Sequence, residues 1–200
     1  PAMLERRSRR AAARRALGIT DDEIVVGTVA NLRATKGYPD LLTAATEVIA
    51  AVPTVRFVAV GQGPLAHELE STRDALGLDD RFAFLGYRTD APEVMAAFDV
   101  FCLASHYEGL PIALMEALAL GLPVVSTTAG GIRELVTDGV DAVLVPPGDS
   151  ERLADALVAV LRDPERRADL AAAAAARGAH LDVGIAVARV EEIYAGIAAR

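Results

Sequence analysis

Val100-Phe101-Cys102-Leu103-Ala104 is an unbroken apolar run, and Ser105-His106-Tyr107-Glu108-Gly109-Leu110-Pro111 is a polar turn that follows it. Ile112-Ala113-Leu114-Met115-Glu116-Ala117-Leu118 then resumes an apolar pattern of helical character. Strand, turn and helix in direct succession make one βα unit. A strand apolar at every position is buried on both faces, as happens in a parallel sheet covered by helices on each side.

The same grammar recurs outward from this unit. Strands are expected at Ile24–Ala30, Val55–Val60, Phe82–Leu85, Val100–Ala104, Pro123–Ser126 and Ala142–Val145. Helices are expected at Asp40–Ala51, Leu65–Leu76, Pro92–Ala97, Ile112–Leu120 and Gly131–Thr137, and after the last strand at Ser150–Arg162, Pro164–Arg177 and Val183–Ala199. Pro164 suits a first helical position, with Asp163 before it as the cap. Ala171–Ala176 is low in complexity but strongly helix-forming. Alternating βα units imply an α/β chain with a doubly wound, Rossmann-like parallel sheet.

The composition agrees. A chain of 200 residues, 52% of them hydrophobic, is long enough to bury a substantial core and too apolar to be disordered. A net charge of −8 argues against nonspecific nucleic-acid binding. Cys102 is the only cysteine, so no intrachain disulfide forms, which fits a cytoplasmic location. Its apolar neighbours make it a packed thiol. His67, His106 and His180 lie far apart and form no metal-ligand spacing. The apolar stretch from Ile112 to Val125 is broken by Glu116 and Pro123 and is no membrane span.

The opening segment is basic, with Arg6, Arg7, Arg9, Arg10, Arg14 and Arg15 opposed only by Glu5. It is read first as a solvated helix face or a severed interdomain connection. Contact with an anionic membrane at the inner face is the alternative. The chain opens on Pro1 with no initiator Met and is read as a fragment.

In a doubly wound sheet, ligands bind outside the carboxyl ends of the strands. After the first strand comes Asn31-Leu32-Arg33-Ala34-Thr35-Lys36-Gly37, which lacks the G-x-G-x-x-G pattern of a dinucleotide site. It places Arg33 and Lys36 before a helix, where two cations suit a diphosphate; a solvated loop explains them equally well. Lys36 is the only lysine of the chain. Gly61-Gln62-Gly63-Pro64 follows the second strand; its glycines allow backbone to approach a ligand, though a plain turn is the better isolated reading. Tyr87 and Arg88 follow the third strand; Tyr87 could equally be packing. Glu116 is a carboxylate on an apolar helix, which demands a partner. Ligand hydroxyls or a salt bridge to an arginine such as Arg133 would both serve. Ser126-Thr127-Thr128-Ala129-Gly130-Gly131 offers backbone N–H groups to an anion, or makes a generic turn. Asp138-Gly139-Val140-Asp141 looks like a metal motif but reads better as a turn.

Taken in order, these motifs resemble the carboxyl-terminal domain of family 4 glycosyltransferases, which have the two-domain GT-B fold. The most specific part is Glu108-Gly109-Leu110-Pro111 with Glu116, two glutamates separated by seven residues. Gly61-x-Gly63-Pro64, Phe84-Leu85-Gly86, Gly121-x-Pro123-Val124-Val125 and Gly130-Gly131-x-x-Glu134 fall in the family's order from about Leu17 onward. The resemblance implies a donor-binding role for the chain, with a UDP-, GDP- or ADP-sugar as substrate and no cofactor or metal. It implies that Glu116 holds the ribose hydroxyls and Glu108 the donor sugar. Gly109 and Leu110 would give N–H groups to sugar or phosphate, and Lys36 would neutralise the leaving diphosphate. The base would sit near Tyr87 and Arg88. The family's usual arginine position is occupied by Asn31, and Arg33 stands two residues further on. The partner implied is an amino-terminal acceptor domain, without which the fragment transfers sugar poorly. Two competing readings are a GT-B-like epimerase or phosphorylase, against which the glutamate pair argues, and a non-catalytic nucleotide-binding module.

Overall fold

The computed structural model describes residues 2–181 together with 187, 190–192, 194 and 197, with side chains described from Arg9 onward. Most of the expected Val183–Ala199 helix lies outside the described residues. The strands are β1 (Ile24–Val29), β2 (Val55–Val60), β3 (Phe82–Phe84), β4 (Val100–Leu103), β5 (Val124–Thr127) and β6 (Val143–Val145). The helices are α1 (Ala2–Ala16), α2 (Tyr38–Ala51), α3 (Ala66–Ala75), α4 (Ala91–Met95), α5 (Ile112–Ala119), α6 (Ile132–Leu135), α7 (Ser150–Arg162) and α8 (Pro164–Gly178), with a 3-10 turn at Ala34–Lys36. The sheet order is β3-β2-β1-β4-β5-β6, and the pairings are all parallel. This is the doubly wound, Rossmann-like arrangement expected.

Strand pleating sends alternate side chains to opposite faces. Val100 and Cys102 enter the core cluster shared with Leu41, Leu42, Leu153 and Leu157 from α2 and α7. Phe101 and Leu103 enter the cluster shared with Met95, Leu114 and Leu118 from α4 and α5. Every residue of β4 is buried, because each face has a helical layer over it. Burial pushes the Cys102 thiol up to about 12, as befits a packed cysteine. Gly27 in β1 is needed for packing: a Cβ there would lie 2.0 Å from the Phe98 ring.

Element boundaries shift from expectation where a tertiary contact intervenes. α2 begins at Tyr38, before the expected Asp40, because Gly37 caps it at φ 63°. Tyr38 is then drawn into the core and its hydroxyl donates to the Ala30 carbonyl at 2.9 Å. Asp163 caps α8 as expected, accepting from Arg166 N at 2.8 Å.

The basic opening helix requires a correction. Arg10 and Arg14 do not lie on a solvated face. Arg14 is 5% exposed. Its guanidinium donates to the carbonyls of Ala97, Thr20 and Glu23 and to Asp99 Oδ2. Arg10 donates to Phe98 O at 2.7 Å and to Asp99 Oδ1 at 2.7 Å. Asp99 in turn accepts from Val25 N at 2.8 Å, so α1 is tied to the start of β1. The i, i+4 spacing places both arginines on one helix face, which sequence alone does not distinguish from a solvated stripe.

Candidate functional site

The strand order reverses between β1 and β4. The chain leaves β1 towards one face and β4 towards the other, and this opens a crevice at their carboxyl ends. A cleft of about 340 Å³ lies there, lined by Lys36, Gly61, Tyr87, Arg88, Glu108 and Leu110 among others. Its size falls within the usual range for small-molecule sites.

Lys36 and Glu108 meet across the crevice. Lys36 Nζ lies 2.8 Å from both Oε1 and Oε2 of Glu108. Ser105 Oγ donates to Glu108 Oε1 at 2.7 Å. Glu108 is 7% exposed and the Lys36 side chain 21%. A carboxylate so withdrawn from water requires these donors. Ser105 was not singled out from the sequence; the only available signal was its spacing three residues before Glu108. The backbone ties the two loops together. His106 N donates to Thr35 O at 2.9 Å and Tyr107 N donates to the same carbonyl. His106 Nε2 also pairs with Asp40 Oδ2 at the start of α2.

Glycines set how closely these loops approach. A Cβ at Gly37 would lie 1.9 Å from Ala104 O. At Gly130, where φ is +48°, a Cβ would lie 1.9 Å from Glu108 O. Gly131 N donates to Glu108 O at 3.2 Å. The Gly130-Gly131 turn therefore seats the Glu108 loop, and the Gly131 N–H is not available to an anion. At Gly61 and Gly63 the crowding comes from Ala30 O and Leu32 O. Both glycines admit the loop after β1, and only Gly61 also lines the cleft.

Gly130→Ala is expected to displace backbone, since no side chain can yield. Ligand affinity in the cleft should fall more than tenfold, a loss of about 1.4 kcal/mol or more. Gly77→Ala, also at positive φ but facing open space, should cost stability alone. Equal affinity in the two variants, measured by titration calorimetry, would show that this turn does not seat the Glu108 loop.

Glu116 lies in α5, one turn beyond Ile112 and Ala113, which line the cleft. It does not line the cleft itself. Burial raises its carboxyl above the usual carboxylate range. Among the described residues it has no ion pair, and Arg133 stands in a different depression beside Thr128 and Asp138. The N–H groups of Gly109 and Leu110 have no protein acceptor among the described residues. Tyr87 is 66% exposed and so is not a packing residue. Arg88 is held by Asp90 through bonds of 2.7 and 2.6 Å. This pairing lowers the Asp90 carboxyl and raises the Arg88 guanidinium. Arg33 is exposed and outside the cleft lining. The Asp138–Asp141 segment is a closed turn: Asp141 accepts from Thr137 N and Arg177 Nε, and Asp138 from Leu144 N. Among the described residues no helix is long and apolar enough to cross a membrane.

A doubly wound sheet with a cleft at its switch point, holding a cation–carboxylate pair and N–H groups without a protein acceptor among the described residues, defines an α/β protein with a polar crevice at its strand ends. The chain matches the model of the family described as "Glycosyl transferases group 1" over residues 9–177, and it belongs to that family. It is 33% identical over 170 residues to the alpha-D-kanosaminyltransferase of Streptomyces kanamyceticus, covering 84% of this chain and 44% of that protein. The structure of Anabaena HepE in complex with UDP superposes with a TM-score of 0.87 at 32% identity, over 94% of this chain and 53% of HepE. The C-terminal domain of a group 1 glycosyl transferase family protein (LpcC) from Francisella tularensis superposes at 0.77 and 27% identity, covering 84% of this chain and 90% of that domain. The chain thus spans about half the length of the curated relatives it matches.

Proposed function

We propose that this chain is the donor-binding half of a retaining glycosyltransferase. In this reading it holds a nucleoside-diphosphate sugar in the β1/β4 crevice while a second domain brings the acceptor. The observation that carries the reading is the Lys36–Glu108 pair beside the unused N–H groups of Gly109 and Leu110. One cation and two N–H donors suit a diphosphate, and one carboxylate suits sugar hydroxyls. Lys36 stabilises charge on the departing nucleoside diphosphate, with Arg33 as a second cation on the same loop beyond the cleft lining, and no metal takes part. The acceptor hydroxyl attacks on the face the diphosphate leaves, which retains anomeric configuration. Tyr87, Arg88 and Gly61 border the base, with Gly63 holding the adjoining loop. The UDP bound in HepE makes a uridine nucleotide the first to test.

Glu116, one turn along α5 from the cleft wall at Ile112 and Ala113, takes the ribose hydroxyls of a nucleotide that extends past that wall. Its carboxylate is half-buried without an ion pair among the described residues, and a diol supplies two donors. Glu116→Gln should weaken nucleoside diphosphate binding by about 1–3 kcal/mol. A carboxyl whose value is raised by folding contributes stability below its unfolded value, and this is lost as pH rises through the folded one. The ligand-free Gln variant should therefore match the parent in acid and exceed it in stability at neutral pH. Calorimetry against UDP, GDP and ADP, beside melting curves at both pH values, tests this. Unchanged affinity in a folded variant removes the ribose role.

Residues 1–200 alone should bind nucleotide and transfer sugar negligibly. One wall of a cleft leaves the phosphates in water and offers no surface to position an acceptor. Robust turnover with labelled UDP- or GDP-sugars by this chain alone would overturn the two-domain reading. A melting curve unmoved by every nucleotide at millimolar concentration would count against the donor site itself.

A further inference from the structure

We infer that the ligand-free site is occupied by its own Lys36–Glu108 pair, and that this pair discriminates against a nucleoside diphosphate that carries no sugar. The inference rests on the donor-site reading above. It starts from three facts of geometry. Both carboxylate oxygens of Glu108 lie 2.8 Å from one ammonium. That carboxylate is 7% exposed, and its other donor is a single hydroxyl from Ser105. Both side chains line the same cleft, so whatever fills it meets them together.

A diphosphate attracted to Lys36 is thereby brought beside the Glu108 carboxylate. Like charges at that range repel, and the low exposure of Glu108 reduces screening by water. A bare nucleoside diphosphate has two courses. It can share the ammonium and bear the repulsion, or draw Lys36 away and leave Glu108 with only the Ser105 hydroxyl. Each course lowers affinity. A sugar on the diphosphate changes the balance, because its hydroxyls donate to the carboxylate that Lys36 relinquishes. The pair then separates into two satisfied halves, ammonium on phosphate and carboxylate on sugar. Discrimination against the sugar-free nucleotide is thus built in by an unfavourable contact as well as a favourable one. It also favours release of the nucleoside diphosphate once the sugar has left.

Glu108→Gln separates the effects. Glutamine keeps an oxygen for Ser105 and Lys36 and removes the charge. Titration calorimetry would compare UDP with UDP-glucose, GDP with GDP-mannose and ADP with ADP-glucose, on parent and variant. The variant should bind the bare diphosphate about three- to tenfold more tightly than the parent does, as expected for the loss of one partly screened ionic contact. Its preference for the sugar nucleotide over the bare one should shrink by at least the same factor. A Glu108→Gln variant that loses bare diphosphate and sugar nucleotide equally would overturn the inference and leave the donor site standing. So would a parent that binds each bare diphosphate as tightly as its sugar nucleotide. A parent that binds none of the six ligands would overturn the donor-site reading and this inference with it.

Discussion

Lys36→Ala is expected to weaken nucleoside diphosphate binding by one to two orders of magnitude while leaving the corresponding nucleoside within about twofold. A charge-assisted bond to phosphate is worth about 1.5–3 kcal/mol, and 1.4 kcal/mol is tenfold. The nucleoside has no phosphate and should scarcely register the change. A second consequence follows from the pairing seen here. Removing the ammonium leaves the Glu108 carboxylate with Ser105 as its remaining side-chain donor. The variant should lose about 1–3 kcal/mol of stability for that unmet charge. The double variant Lys36→Ala with Glu108→Gln should recover most of this stability, and of the diphosphate affinity only the roughly three- to tenfold that the Glu108 charge opposes. Chemical denaturation and calorimetry on the four members of that cycle supply both numbers. Equal losses for nucleoside and nucleoside diphosphate would mean that Lys36 supports the loop and does not meet phosphate.

Arg14→Ala should be strongly destabilising. Its guanidinium serves three carbonyls and one carboxylate from a nearly buried position. Truncation leaves Asp99 with Arg10 and Val25 N alone, and strands the carbonyls at the end of α4 and before β1. Breaking a buried ionic network of this kind costs about 3–5 kcal/mol. Arg14→Lys should rescue only part, because a point charge on a flexible stem cannot reach acceptors on three sides as a planar fork does. Arg10→Ala should cost about 1 kcal/mol, since its side chain is more exposed. A urea midpoint changed by less than the equivalent of 1 kcal/mol in Arg14→Ala would show that α1 is a dispensable appendage.

Two features of the site were readable without coordinates. Glu108 and Lys36 stand directly after strands, and the ligand edge of a doubly wound sheet is a rule of topology. That the two residues contact each other was not readable. They are separated by the whole passage α2-β2-α3-β3-α4-β4, and only the β1–β4 pairing brings their loops together. Glu116 was legible as an unpartnered carboxylate on an apolar helix, but its distance from the cleft lining was not. The glycines were legible as glycines and ambiguous in purpose. The Gly130-Gly131 segment read as an anion nest or a generic turn, and Gly63 as a ligand approach or, better in isolation, a plain turn. Both serve contacts between backbone segments remote in sequence.

The sequence by itself determined the order of elements, the parallel sheet and the strand ends at which ligands gather. Those depend on local quantities: runs of apolar residues, turn residues and capping, which each segment carries within itself. Tertiary structure alone decided that Arg10 and Arg14 face inward, that Gly37 and Gly130 are fixed by carbonyls of another βα unit, and that Lys36 neutralises Glu108. Such outcomes depend on which surfaces meet when the sheet assembles. A charge or a glycine has the same local preferences whichever neighbour it acquires, so its partner is settled only by the packing of the whole.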